Sequence, residues 1–227
     1  MTQDLVCELN LALVPEVALA EKHIAFSEGL AKHYPSVIAL NGVGPRLVFT
    51  PHLTLYQVPI PVRDLEKLAG KLAQLASKTQ SLSLAATEYG SNPNEGSLEV
   101  RYEPGEVLME LQEALIGETN PLRGSLLLER DPAGHRLSDL VTEPGTRGEN
   151  IRSTGFDAVG DPAKGGLFHP HVTIGWFAIG TGLAMNAPDW PPIGAFNGSF
   201  DALGVFALGP YGTCAQCLRV LPLAGTT

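Results

Sequence analysis

The chain has 227 residues, of which 44% are hydrophobic and 17% are charged. This composition excludes an intrinsically disordered chain, and the length allows one large domain or two small interlocked lobes. The formal charge of −9 at pH 7 argues against a protein that grips DNA or other long nucleic acid by its phosphates, because such a protein usually has a basic face.

Simple features of the chain disfavour two further classes of protein. No apolar run reaches the ~18 residues that a membrane helix needs, and the first residues lack the basic and apolar regions of a secretory signal. The three cysteines are too few for a disulfide scaffold and suit a reducing compartment. We therefore expect a cytoplasmic protein that does not interact with membranes.

Hydrophobic periodicity predicts strands interleaved with helices. Apolar residues at helical spacing, such as Leu65, Leu68 and Leu72, mark the buried side of one helix. In chain order, the predicted elements are a strand over 5–14, a helix over 15–34, a turn over 41–45, a strand over 46–58, a helix over 61–78, strands over 81–88 and 97–102 joined by a loop over 90–96, a helix over 106–116, and strands over 168–179, 196–208 and 213–221.

The segment 129–167 shows no periodic pattern. Its 39 residues include seven glycines, three prolines, seven acidic residues and several basic ones, among them Arg147 and Arg152. Long segments of this kind in a compact domain are usually functional lids or flexible insertions. We predict a flexible insertion or a lid at 129–167, and as a lid it would fold over a cleft and bring an arginine such as Arg152 to a phosphate.

Two twelve-residue stretches of the chain repeat one another. Residues 49–60 align without a gap on residues 168–179, with Phe, Pro, His, Thr and Ile shared at matching places. His52 and His171 correspond, and they lie 119 residues apart, about half the chain. An internal duplication leaves this spacing, so the repeat predicts two related lobes within an α+β or α/β protein.

The polar residues shared by the two copies are a His and a Thr two positions apart. Residues i and i+2 of a strand point to the same face, so His52 lies beside Thr54 and His171 beside Thr173. Histidines on strands are often packed in a core, but a second copy with the same flanking residues makes that explanation less attractive. Two such pairs facing one another would form a general acid/base site without a metal ion.

The paired motifs His52-Leu53-Thr54-Leu55 and His171-Val172-Thr173-Ile174 resemble the signature of the 2H phosphoesterase superfamily. The sequence of the second copy, from Phe168 onwards, is similar to that of the bacterial 2′-5′ RNA ligase-like branch. Many members of this branch are RNA 2′,3′-cyclic phosphodiesterases. The resemblance implies one bilobal α+β domain over residues 1–227. Its two pseudo-symmetric lobes would have antiparallel sheets that line a central cleft, with one motif on an inner strand of each lobe.

The chemistry of this superfamily explains why these residue types are needed. Cleaving a cyclic phosphate or a 2′-5′ phosphodiester requires one group to deprotonate a nucleophile and another to protonate the leaving oxygen. Histidine starts with a pKa near neutrality and suits both tasks, so His52 and His171 are the predicted catalytic residues. Thr54 and Thr173 would donate hydrogen bonds to phosphoryl oxygens. The sequence leaves open which histidine is the acid, and the resemblance implies water attack and a 2′-phosphate product.

Several other residues are candidates for secondary roles. Tyr56 follows Thr54 by two positions, as Gly175 follows Thr173, and we expect both to face the cleft. His169 shares the face of His171, so a zinc triad with His52 is conceivable, although we favour a position for His169 at the cleft rim and predict neither a metal nor a cofactor. The pair Cys214 and Cys217 leads into a strand, which favours incidental cysteines over a redox motif.

The sequence thus predicts a hydrolase that acts on a small nucleotide or an RNA end. Two alternatives stay open at this point. The chain could be a nucleotide- or RNA-binding module that kept the cleft and lost turnover, or a 2′-5′ RNA ligase, which the acidic charge makes less attractive. The sequence does not determine the oligomeric state.

Overall fold

The computed structural model describes residues 5–33, 38–40, 50–92, 96–177 and 189–225. The predicted turn over 41–45 and the first part of the predicted strand over 46–58 lie outside the described residues, as does the end of the strand predicted over 168–179. The helices are α1 (Val17–His33), α2 (Leu65–Ala76), α3 (Glu106–Arg123), α4 (Leu137–Leu140) and α5 (Thr146–Thr154). The strands are β1 (Val6–Pro15), β2 (Ile38–Ala39), β3 (Leu53–Pro61), β4 (Leu82–Leu84), β5 (Ala86–Asn92), β6 (Ser97–Tyr102), β7 (His171–Trp176), β8 (Gly198–Leu208) and β9 (Cys214–Pro222).

These strands form two antiparallel groups that meet in the middle of the molecule. The first group has β3, β1 and β8 side by side, with β4 and β9 on the far edge of β8. The second group has β7 between β6 and the short β2, with β5 beyond β6. The only pairing between β3 and β7 is Leu53 with Val172. The α+β fold with two sheet-based halves is therefore as predicted.

The helices cover the sheets and bury the apolar stripes that the sequence predicts. Helix α3 packs against β3 and α2, whereas α1 packs against β2 and β7. Leu19, Phe26 and Leu30 of α1 are buried, as are Leu68 and Leu72 of α2, so each helix turns one apolar face towards the main core. This packing fixes the two inner strands, β3 and β7, at the centre of the fold.

Three element predictions differ from the structure. The strand predicted over 81–88 is two strands, because the chain leaves β8 after β4 and joins β6 as β5. The strand β5 runs to Asn92, so the loop predicted over 90–96 begins later than expected. The helix predicted to end at 116 continues to Arg123, because Leu122 and Arg123 of its last turns are buried against the rest of the molecule and tertiary packing outweighs the low helix propensity of Gly117 and Pro121.

The segment 129–167 is not the irregular stretch that its composition suggests. It contains α4 and α5, and Leu137, Leu140 and Ile151 form a small apolar cluster together with Leu128. The role of the segment as a lid stays a prediction.

Among the described residues of the whole chain, no helix combines the length and the apolar character that crossing a bilayer requires.

Candidate active site

The two His-x-Thr motifs meet where the halves of the fold join. Leu53 and Val172 are the middle residues of the motifs, and they are the pair that links β3 to β7. Both are fully buried. Because neighbouring residues on a strand point to opposite faces, the residues on either side of this pair share the other face, which is open to a cavity. His52, Thr54, His171 and Thr173 all line that cavity, whose volume is about 420 Å³.

Each histidine is oriented by the same local hydrogen bond. Nδ1 of His52 lies 2.7 Å from the carbonyl oxygen of Thr50, and Nδ1 of His171 lies 2.8 Å from the carbonyl oxygen of His169. A carbonyl only accepts, so Nδ1 is the donor in both bonds. In each neutral ring the proton therefore lies on Nδ1, and Nε2 carries the lone pair that can accept a proton.

Both motif strands have a bulge directly after the threonine. Leu55 of β3 has no partner between the pairs Ala12–Thr54 and Leu11–Tyr56. Ile174 of β7 is likewise skipped between Glu99–Thr173 and Leu98–Gly175. An extra residue of this kind interrupts the alternation of faces.

The bulges correct the prediction for Tyr56 and Gly175. The next residues on the cavity wall are Gln57 and Trp176, three positions after each threonine rather than two. Tyr56 is instead fully buried, where its hydroxyl donates to the carbonyl of Thr154 and lies 3.3 Å from Oδ1 of Asn120. Tyr56 is therefore a core residue and does not line the cleft.

Asn10 of β1 contacts the first motif. Its amide nitrogen lies 3.4 Å from Nε2 of His52, 3.1 Å from Oγ1 of Thr54 and 2.9 Å from the carbonyl oxygen of Gly212. The Gly212 carbonyl can only accept a hydrogen bond, which orients the amide with its nitrogen towards the motif. His52 is 8% exposed, and burial, with a smaller contribution from His171, lowers its pKa to about 4 against the opposing effect of hydrogen bonds to the backbone of Thr50 and Gly212.

Glu99 of β6 lies beside the second motif, where it pairs with Thr173. Its Oε1 lies 4.0 Å from Nε2 of His171 and accepts a hydrogen bond of 2.7 Å from Oγ of Ser97. Burial acts to raise the pKa of Glu99, but His171, Ser97 and Arg101 together outweigh burial and lower it. Glu99 is therefore a carboxylate at neutral pH. The side chain of His171 is 36% exposed, so the two histidines have different surroundings.

Two arginines line the cavity, and both are held by carboxylates. Nη1 of Arg101 lies 3.0 Å from Glu88, and its Nε lies 3.4 Å from Glu99. Arg147 of α5 lies 2.8 Å from Asp131 through Nη2 and 3.0 Å from Asp157 through Nε. The segment 129–167 thus contributes an arginine to the cavity wall.

That arginine is Arg147 and not Arg152, which corrects the sequence-based choice. Nη1 of Arg152 donates to the carbonyl oxygens of Val141 and Glu143 at 2.7 and 3.2 Å, and Arg152 does not line the cavity. The helix α5 turns Arg147 towards the cleft and Arg152 towards its own segment. Position within a patternless segment could not distinguish the two arginines.

Four aromatic residues line the cavity. Trp176, Phe156 and Phe168 are nearly buried in its wall, whereas Tyr211 is 52% exposed. Tyr211 has a φ of 58°, a left-handed conformation that is uncommon for a residue with a side chain. The surrounding turn also brings the carbonyl of Gly212 to Asn10. A flat apolar surface beside the two histidines suits a nucleobase.

The remaining sequence candidates have simpler positions. His169 is exposed and lines the cavity, so its side chain lies at the rim. Among the described residues, no three His, Cys, Asp or Glu side chains are grouped closely enough to hold a metal ion together. Cys214 is buried and Cys217 exposed on β9, and burial raises the pKa of both thiols, which makes a reactive thiolate unfavourable.

Sequence reasoning missed several residues of the site, among them Gln57, Glu99 and Trp176 of the cavity wall and Asn10, which contacts His52. Gln57 and Trp176 line the cavity because each motif strand has a bulge. An alignment of the two copies does not reveal the bulges, because both copies have one at the same place. Asn10 and Glu99 lie on the strands that flank the motif strands, and no motif marks them. Only the pairing register brings them to the histidines.

Solved structures with the same fold are known. The chain aligns over 97% of its length with the complete Thermus thermophilus protein TT0787 (22% identity, TM-score 0.56). It aligns over 96% with 98% of a protein described as a phosphoesterase (15% identity, TM-score 0.57) and over 96% with 99% of Escherichia coli LigT in complex with 3′-AMP (14% identity, TM-score 0.56).

The likeness to these structures extends over almost the whole chain. The likeness confirms the predicted fold, which the chain shares with these proteins. No protein-family model matches the sequence, and no curated protein matches it.

Proposed function

We propose that this protein is a metal-independent phosphoesterase that hydrolyses 2′,3′-cyclic phosphates or 2′-5′ phosphodiesters of nucleotides or RNA ends. One observation carries the proposal. Two histidines, each with Nδ1 bonded to a backbone carbonyl, share one cavity with two threonine hydroxyls. This is the set of groups that acid/base cleavage of a phosphodiester needs.

The reaction would proceed by in-line displacement at phosphorus. One histidine takes a proton from water through Nε2 while the water oxygen forms a bond to phosphorus. The bond from phosphorus to the leaving oxygen breaks, and the other histidine delivers a proton from Nε2 to that oxygen. The hydroxyls of Thr54 and Thr173 donate hydrogen bonds to the non-bridging oxygens, where negative charge increases in the transition state.

The dimensions and charge of the cavity favour a small substrate. A volume of about 420 Å³ is within the range of small-molecule sites. Arg101 and Arg147 supply positive charge, but each is shared with two carboxylates, so the cavity is not a broad basic surface for a long polyanion. Escherichia coli LigT, which has the same fold, is known in complexes with 3′-AMP and with ATP, and this supports a nucleotide ligand here.

The proposal is tested by assaying 2′,3′-cyclic nucleotides and 2′-5′ dinucleotides with EDTA present. We expect turnover that EDTA does not reduce, and a fall of about 100-fold or more in kcat for His52→Ala and for His171→Ala. His33→Ala is the matched control, because His33 is exposed on α1 and its Nδ1 also bonds a backbone carbonyl, that of Gly29 at 3.1 Å. This variant should keep the wild-type rate.

Three results would contradict the proposal, each in favour of a different interpretation. Binding of the nucleotides without turnover would indicate a binding module. Joining of a cyclic phosphate end to a 5′-hydroxyl end, with no hydrolysis, would indicate a ligase. Loss of activity with EDTA would indicate a reaction that depends on a metal ion.

A further inference from the structure

The bulge in each motif strand is bonded by a buried polar side chain of a helix. Nε2 of Gln112, on α3, donates to the carbonyl oxygen of Leu55 at 3.0 Å, and Oγ of Ser27, on α1, donates to the carbonyl oxygen of Ile174. Leu55 and Ile174 are the extra residues of the two bulges. Gln112 is 1% exposed and Ser27 is fully buried, so solvent does not compete for either bond. The same arrangement therefore occurs once in each half of the fold.

Gln112 joins the first bulge to the segment 129–167. Its Nε2 also donates to the carbonyl oxygen of Ala158 at 2.9 Å, and its Oε1 accepts from the backbone N–H of Gly160 at 3.2 Å. These partners fix the orientation of the amide, because a carbonyl only accepts and an N–H only donates. Ala158 lines the cavity. One buried amide thus ties β3 to this part of the cavity wall.

Ser27 joins the second bulge to the end of β2. Its Oγ accepts from the backbone N–H of Leu40 at 2.8 Å and donates to the carbonyl of Ile174. The last pair of the ladder between β2 and β7 is Ala39 with Gly175. Leu40 and Ile174 come next in register, and the hydroxyl of Ser27 takes the place of a direct bond between them.

Each of these helices holds the motif strand of the opposite half. α1 follows β1, which pairs with β3, yet its Ser27 bonds β7. α3 follows β6, which pairs with β7, yet its Gln112 bonds β3. The two side chains therefore connect the halves in addition to the single residue pair that joins their sheets.

We propose that Ser27 and Gln112 are positioning residues that keep the two bulges in place and so determine which side chain of each motif strand lines the cavity. This role in ligand binding rests on the proposed function. A buried backbone carbonyl requires a hydrogen-bond partner, and these side chains supply one to each extra residue. Without the bulge in β7, Gly175 would take the place of Trp176 on the cavity wall.

The kinetic test separates binding from the chemical step. Ser27→Ala leaves the N–H of Leu40 and the carbonyl of Ile174 to bond each other directly, which moves β7 at the bulge. We expect KM for a 2′,3′-cyclic nucleotide to rise about 10-fold, as for the loss of a stacking ring. The histidine and the threonine of the motif come before the bulge, so kcat should stay within about threefold of the wild type.

Thr119→Val is the matched control for the loss of a buried hydrogen bond. Thr119 is fully buried on α3, and its Oγ1 donates to the carbonyl oxygen of Leu115 at 2.7 Å, within the same helix. Thr119→Val and Ser27→Ala should both lower the urea concentration at the midpoint of unfolding, but only Ser27→Ala should raise KM. An equal rise of KM in both variants would overturn the positioning role of Ser27.

A double variant shows whether Ser27 acts through Trp176. We expect Ser27→Ala/Trp176→Ala to have the same KM as Trp176→Ala alone, because the ring that Ser27 positions is already absent. Effects on KM that multiply in the double variant would mean that the two residues act independently, which contradicts the positioning role.

Fluorescence tests the geometry without catalysis. The chain has two tryptophans, so Trp190→Phe leaves Trp176 as the only one. In this background, Ser27→Ala should change the emission maximum and the quenching by acrylamide, because the Trp176 ring is 5% exposed in the intact fold and moves when the bulge is lost. Thr119→Val should change neither quantity.

Gln112→Met is the equivalent test in the first half. The bulge that Gln112 holds brings Gln57 to the cavity wall, so KM should rise while kcat stays within about threefold of the wild type. Gln112→Asn is a milder second variant, since it keeps an amide that is one methylene too short to reach both β3 and Ala158, and it should raise KM in the same way. A fall of kcat with KM unchanged in these variants would overturn the role of Gln112.

The failure of this inference is distinguishable from the failure of the proposed function. If the wild-type protein hydrolyses no phosphodiester but Ser27→Ala changes the fluorescence of Trp176, the proposed function is wrong and Ser27 still positions the ring. If the wild-type protein hydrolyses the cyclic nucleotide but Ser27→Ala leaves both KM and the fluorescence unchanged, the positioning role is wrong and the phosphoesterase stands.

Discussion

At the scale of single residues, the threonines of the two motifs are not equivalent. Oγ1 of Thr54 lies 3.1 Å from the Asn10 amide and accepts from it, which leaves the hydroxyl proton of Thr54 free to donate towards the cavity. Thr173 also lines the cavity and is half-buried. A hydroxyl in a partly enclosed site stabilises developing charge more strongly than it would in water.

Replacing Thr173 tests this contribution. Thr173→Val keeps the shape of the side chain and removes the hydroxyl, so we expect kcat for a cyclic nucleotide to fall by about 100-fold, as for the loss of one donor to a developing oxyanion. Thr173→Ser keeps the hydroxyl and should retain activity within about 10-fold of the wild type. Steady-state kinetics of the two variants decide the question, and similar rates for both would show that the hydroxyl does not act in the transition state.

The four residues of the motifs could be predicted from the sequence because they are repeated. Their type and their spacing of two carry the signal, and the structure brings His52, Thr54, His171 and Thr173 to one cavity. Glu99 could not be predicted in the same way. A glutamate on a strand is ordinary, and its position beside His171 depends on a pairing between distant segments of the chain.

At the scale of elements, the paired bulges decide which side chains line the cavity. A regular strand would place Tyr56 and Gly175 on the cavity wall, whereas the extra residues Leu55 and Ile174 replace them with Gln57 and Trp176. Bulges are often found beside active sites, where they redirect a side chain. The sequence shows strands at both places but contains no signal for the extra residue, since Leu and Ile are typical strand residues.

This distinction predicts opposite effects for Trp176 and Tyr56. Trp176→Ala should raise KM for a cyclic nucleotide about 10-fold, because stacking of a base on an aromatic ring contributes on the order of 1–3 kcal/mol. Tyr56→Phe should leave KM unchanged and lower the free energy of unfolding by about 1–2 kcal/mol, because the buried carbonyl of Thr154 loses its donor. Steady-state kinetics and urea unfolding of both variants measure KM and the free energy of unfolding. A raised KM in Tyr56→Phe would show that Tyr56 contacts the nucleotide.

Composition predicted less about the segment 129–167 than about any other part of the described chain. Its helices are short, and glycines and prolines interrupt any helical period, so the pattern gives no sign of α4 or α5. The order in this segment comes from tertiary contacts. Arg147 joins Asp131 to Asp157 across it, and Ile151 packs against Leu137 and Leu140.

At the scale of the whole molecule, the internal repeat predicted the two halves but not how slightly their sheets are joined. A single residue pair links β3 to β7, so the cleft opens directly beside the link. The repeat also suggested equal halves, whereas Asn10 and Glu99 make the two sides chemically different. Pseudo-symmetry sets the positions of the two motifs, and the unrepeated residues around them give each histidine different neighbours.

The packing of the whole molecule also keeps two histidines neutral. His23 of α1 is fully buried, with Nδ1 2.8 Å from the carbonyl of Leu19 and Nε2 3.0 Å from the hydroxyl of Tyr102. Burial lowers the pKa of His23 to about 4, as it does for His52. The unfolded chain therefore binds more protons than the folded one between pH 6.5 and about 4.

We predict that the protein loses stability in this pH window. A histidine whose pKa is lowered by folding adds its full stabilisation above the pKa of the unfolded chain. This stabilisation is lost as the pH falls towards the pKa of the folded chain. The free energy of unfolding should therefore fall by about 2 kcal/mol per histidine between pH 7 and pH 5. Urea unfolding at pH 7, 6 and 5 measures the loss. His23→Gln should show about half the wild-type slope, and His33→Gln, exposed on the same helix, should show the full slope. A free energy of unfolding that stays level from pH 7 to pH 5 would mean that neither buried ring is held neutral by the fold.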